Sequence, residues 1–80
     1  MGVKRAVERR LQEVCAQKQF TMNALANMAG VTPSTVYSIL DPGRKDVGIV
    51  ALKKLCDGLD ISLEEFFSDE IFYALEQEIE

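Results

Sequence analysis

Apolar residues recur every three or four positions through most of the 80-residue chain, the period of helices that bury one stripe. Val3, Val7, Leu11, Val14 and Cys15 form the first stripe, opposite a face of Lys4, Arg5, Glu8, Arg9 and Glu13, and predict a helix over residues 3 to 18. Thr21 has the character of an N-cap with Phe20 as its staple, and Leu25, Met28 and Ala29 mark a short second helix ended by Gly30. Thr32-Pro33 starts a third: a hydroxyl caps free N–H groups, and proline at the first helical position loses nothing by lacking its own. At about 100° per residue, Val36, Ile39 and Leu40 share one side while Ser34, Ser38 and Asp41 lie opposite, flanked by Tyr37.

Asp41-Pro42-Gly43 stops that helix. A fourth is predicted with Ile49, Leu52, Leu55, Cys56 and Leu59 inward, and Ser62-Leu63-Glu64-Glu65 reads as a capping box stapled by Ile61 and Phe66. Ser68 is read as the cap of a last helix through Glu80, with Ile71, Phe72, Leu75 and Ile79 on one face. No segment alternates with period two for long enough to make a strand, so the expected class is all-α.

Length allows one domain with a modest core. Cys15 and Cys56 lie far apart and there is no histidine, so neither a zinc spacing nor a paired nucleophile is available; no metal, cofactor or enzymatic activity is expected, and both thiols are read as small core side chains. MGVKRAVERR has no apolar run, and none in the chain approaches the ~20 residues of a membrane span. A cytoplasmic protein with no membrane partner is expected. The net charge of −4 hides an asymmetry: residues 1 to 45 carry +4 and residues 46 to 80 carry −8. Such a molecule attracts phosphate at one end and repels it at the other.

Residues 21 to 40 combine what two short helices crossing steeply require: Ala26 where they touch, Gly30 for a positive φ between them, and Val31, Val36 and Ile39 on the inner face, closed by Leu25. The spacing predicts a helix-turn-helix.

TMNALANMAGVTPSTVYSIL is similar to the helix-turn-helix of the lambda repressor/Cro-like (XRE) family, and VALKKLCDGLDISLEEFF resembles that family's fourth and fifth helices. The resemblance covers about residues 5 to 67. It implies a compact five-helix lambda-repressor-like DNA-binding domain in residues 1–67, with the helix-turn-helix at 21–40. Its third helix would enter the major groove of double-stranded DNA, usually as a homodimer on a palindromic operator. The acidic segment 68–80 is then an additional short C-terminal helix, packed on the same domain or forming a dimer contact through Ile71, Phe72, Leu75 and Ile79.

Carried across position by position, base reading falls on Pro33, Ser34, Thr35 and Ser38, with Tyr37 beside them. Phosphate contact falls to Arg44 and Lys45 in the loop, to Arg5, Arg9 and Arg10 on the first helix, and to N–H groups near Thr21, Met22 and Asn23. Met22 stands where many members have glutamine, Pro33 where a long polar residue is common, Leu40 in place of a frequent glutamate, and Gly48 in place of a Ser or Thr cap. The function implied is sequence-specific DNA binding by a transcriptional regulator, a small repressor. The alternative is a protein-interaction module on the same scaffold, an antirepressor or antitoxin subunit whose partner protein binds the acidic half.

Overall fold

The computed structural model describes residues 1–79. Its helices are α1 (Val3–Lys18), α2 (Met22–Ala29), α3 (Pro33–Leu40), α4 (Ile49–Gly58) and α5 (Leu63–Phe66), followed by one 3₁₀ turn at Glu70–Phe72. No strand occurs among the described residues, so the all-α expectation holds.

Three of the four connections between helices are built alike. Gln19, Gly30 and Asp60 each have positive φ, at 61°, 70° and 58°. The apolar residue that follows each one donates its N–H back into the helix just ended: Phe20 to the Cys15 carbonyl (2.9 Å), Val31 to Ala26 (3.0 Å) and Ile61 to Cys56 (3.0 Å). This is the left-handed helix stop with its apolar contact. Next in each case comes a hydroxyl that caps the following helix: Thr21 Oγ1 accepts from the Ala24 N–H at 3.1 Å, Thr32 Oγ1 from Thr35 at 3.4 Å and Ser62 Oγ from Glu65 at 3.0 Å. Each connection thus ends one helix, plants an apolar residue in or against the core and starts the next.

The core these turns close is led by Phe66, Leu11, Leu25, Leu55, Leu59 and Val36, with Cys15 and Cys56 fully buried and unpaired. Burial pushes both thiols up, Cys56 to about 11. α4 comes close enough to α2 that a Cβ on the buried Gly58 would lie 3.0 Å from the Ala29 nitrogen. Here glycine serves close approach of two backbones.

Two expectations need correction. Ile49 is 62 % exposed: it is the first residue of α4, at the end of the helix, and borders a surface groove with Val3, Val47 and Phe67, while Leu52 three residues on is the first to reach the core. The helix expected over 68–80 is replaced by the single 3₁₀ turn and an irregular chain through Ile79; Glu80 lies outside the described residues. Ser68 caps nothing ahead of it, because its hydroxyl donates backward to the Glu64 carbonyl at 2.6 Å. Asp69 instead accepts from the Ile71 N–H at 3.0 Å and supports one turn. No basic residue follows Lys54, so the segment has no opposite-charge pair at helical spacing, and a helix this short is marginal alone.

The apolar stripe consequently divides. Phe72 packs edge-on to Phe67 with ring centroids 4.9 Å apart and lies 6.1 Å from Phe66, inside its own domain. Ile71 and Leu75 are half-buried, and Ile79 is exposed. These four residues therefore share no single outward face.

Candidate nucleic-acid interface

α3 is short, uncharged and well anchored. Val36 and Ile39 are buried beneath it, with Val31 and Leu40 packed at the margin. Its outer surface carries exposed Pro33, Ser34 and Tyr37 with half-buried Thr35 and Ser38, so the five expected base-reading residues do occur together on one element. At its start the hydroxyls are linked: Thr32 Oγ1 lies 2.9 Å from Ser34 Oγ and 3.1 Å from Thr35 Oγ1. That network fixes the direction of the first two polar side chains while leaving Ser34 open to solvent.

The N-terminus of α2 presents exposed Thr21 and Asn23 beside half-buried Met22. With Thr21 Oγ1 engaged by Ala24, the N–H groups of Met22 and Asn23 belong to the turn that has no intrahelical acceptor. Together with the helix dipole they suit an anion.

Arg44 and Lys45 lie in the loop that leaves α3, and Arg5 on α1 joins them around a groove of about 280 Å³ at the C-terminal end of α3. Within the loop, Asp41 accepts twice: its side chain from the Gly43 N–H at 2.9 Å and its carbonyl from Arg44 at 3.0 Å. Lys4 locks α1 to this corner by donating to the Asp41 carbonyl at 3.0 Å and pairing with Glu8 at 3.1 Å. Arg9, one turn beyond Arg5, is exposed. Among the described residues Arg5, Arg9, Arg44 and Lys45 form no ion pair, which leaves four cations toward solvent.

Arg10 does not belong with them. Its guanidinium donates to the Phe66 carbonyl at 2.7 Å, to Glu65 O at 3.0 Å and to Glu13 at 2.7 Å, and sits 3.4 Å from Asp69 and over the Phe66 ring. Its side chain is only 12 % exposed. Arg10 closes the C-terminal end of α5, whose carbonyls have no partner within the helix, and ties it to α1. Its place in the first-helix basic cluster concealed this role, since the partner is a backbone carbonyl far along the chain.

Two helices joined by a three-residue turn form a helix-turn-helix, with the uncharged outer surface of the second beside free cations. Residues 10–70 match the family model of the Cro/C1-type HTH DNA-binding domain, and the chain belongs to that family. It is similar in structure to the prophage Lp1 protein 11, whose crystal structure superposes with a TM-score of 0.81 at 29 % identity, covering 94 % of this chain and 100 % of that one. No curated protein matches. No helix among the described residues is long and apolar enough to cross a membrane.

Proposed function

We propose that this protein is a sequence-specific transcriptional repressor that binds as a homodimer to a palindromic operator and reads the major groove with α3. What carries the reading is the contrast on one surface: hydroxyl, proline and tyrosine groups without charge on α3, and the unpaired cations Arg5, Arg44 and Lys45 around the groove at its end. Ser34, Thr35 and Ser38 exchange hydrogen bonds with base edges, and Pro33 and Tyr37 offer apolar contact to thymine methyl groups. Arg5, Arg9, Arg44, Lys45 and the first N–H groups of α2 set the register on the phosphates. Four cations per protomer predict a log–log salt slope of roughly −3 to −4 for each half-site. Of the tail residues, Tyr73 and Ile79 are the ones most open to a second copy.

Selection from a randomised duplex pool, followed by affinities at two salt concentrations, tests this. Recovery of a two-fold symmetric motif supports the reading, and Ser38→Arg should then change the preferred bases. Enrichment that ignores Ser38→Arg would place the reading face elsewhere. No enrichment and no salt-dependent binding would reject DNA as the target and favour a protein partner on the acidic half.

A further inference from the structure

The start of α1 is an incomplete helix end. Its N-cap is Gly2, which has no side chain to offer, and its first turn contains no acid. The missing acceptor comes from the other end of the chain: Glu78 Oε2 accepts from the Val3 N–H at 3.3 Å. The tail backbone is held alongside, with the Glu76 N–H donating to the Met1 carbonyl at 3.2 Å. Gly2 is small enough to permit this approach, since a Cβ there would stand 3.3 Å from the same Glu78 oxygen. Glu78 also lines the groove that contains Arg5, Arg44 and Lys45, so its carboxylate shares that groove with the cations assigned above to phosphate, without pairing with any of them among the described residues.

We propose that this groove is a single anion site for which the Glu78 carboxylate and a DNA phosphate compete, making the tail a built-in brake on DNA binding. The inference rests on the DNA-binding reading above. A carboxylate and a phosphodiester carry the same charge, and each is suited to a helix N-terminus ringed by basic side chains. The brake is weak by construction. Phe72 anchors the base of the tail in the aromatic cluster, whereas the residues beyond it are mostly exposed and return to α1 through a few polar contacts. A duplex, which presents several phosphates at once, displaces them; an isolated anion must overcome the effective concentration of the tethered carboxylate and competes less well.

The test uses the full chain with Glu78→Gln, and Glu64→Gln, an exposed side chain on α5, as a control with the same charge change. Binding to mixed-sequence duplex DNA should tighten about three- to fivefold in Glu78→Gln and change by less than about twofold in Glu64→Gln. Inorganic phosphate, followed by the backbone amide signals of Val3 and Lys45, should bind Glu78→Gln more tightly than the parent protein. Equal gains in DNA affinity for both variants would reduce the effect to overall charge and overturn the brake, leaving the proposed function standing. Phosphate binding that strengthens while DNA affinity stays unchanged would also overturn it, because the site would then lie off the DNA path. Absence of salt-dependent DNA binding in every variant, whatever phosphate does, would reject the proposed function and the brake together.

Discussion

The connections on either side of α3 follow opposite designs. Before it, Gly30-Val31-Thr32 packs a helix stop, an apolar anchor and a cap into three residues, and the same order recurs at Gln19-Phe20-Thr21 and Asp60-Ile61-Ser62. After it, residues 41 to 48 form a loop whose only half-buried residue is Val47 and which carries Arg44 and Lys45 on its surface. The tight turns spend every residue on the direction of a helix, so they contribute to stability and to the angle at which α3 is presented. The loop spends few residues on packing and leaves its cations free to adjust. Change in the turns and anchors should therefore register in stability, and change in the loop in DNA affinity.

Arg10 offers the largest contrast, because it is basic yet belongs to the packed side of this division. Arg10→Ala should lower stability by about 2 kcal/mol, since it leaves the Phe66 and Glu65 carbonyls without their charged donor. Chemical denaturation measures that loss. The salt dependence of DNA binding should not change with it; a shallower salt slope would return Arg10 to the phosphate-binding set.

Gly30→Ala isolates backbone cost. At φ 70° no atom within 4 Å would meet the added Cβ, so the expected loss of about 1 kcal/mol comes from the left-handed conformation alone. A loss well above that would mean that the turn also relies on room at this position. Thr32→Ala should cost a similar or slightly smaller amount, about 1 kcal/mol, for the lost cap. It also frees Ser34 and Thr35 from their shared partner, so operator preference should relax in the same variant. Thr32→Ser, which retains the hydroxyl, should restore both readouts.

Much of this division can be read from sequence, and the exceptions share a cause. Thr21, Thr32 and Ser62 are legible as caps because the chemistry is local, and Gly30 because glycine advertises positive φ. Gln19 and Asp60 adopt the same conformation without glycine's signature; only the repeated order of stop, apolar residue and hydroxyl links them to Gly30. Gly58 gives no hint that its value lies in the approach of α2, and Arg10 none that its partners are carbonyls at the end of α5, because both depend on residues distant in sequence. The stripe at Ile71, Phe72, Leu75 and Ile79 has a helical period, yet Phe72 gains more by joining Phe66 and Phe67 than a short acidic helix could return. For the candidate interface, the local pattern brought the five residues of α3 together, while the groove that joins Arg5 to the loop required the fold.

Gln19 allows the turn to be improved. With φ at 61° it bears the cost that Gly30 avoids, so Gln19→Gly should raise stability by about 0.5 kcal/mol, the gain at the left-handed position exceeding the extra entropy of an unfolded glycine. Denaturation midpoints of this variant and Gly30→Ala should shift in opposite directions. Shifts in the same direction would mean that the two turns do not share one design.

Lys45→Ala should have the smallest effect on stability, within about 0.5 kcal/mol, because an exposed loop cation without an ion pair among the described residues has little to lose on truncation. Its effect on binding should be clear by comparison: the affinity for all duplex sequences falls together, and the salt slope becomes shallower by about 1 for each half-site. A sequence-dependent loss would instead mean that Lys45 reaches a base edge, extending the reading surface beyond α3 into the loop. A stability loss near that of Arg10→Ala would mean that the loop is braced like the turns, and the division between structural joints and an adjustable cationic corner would fail at the place where DNA is proposed to meet it.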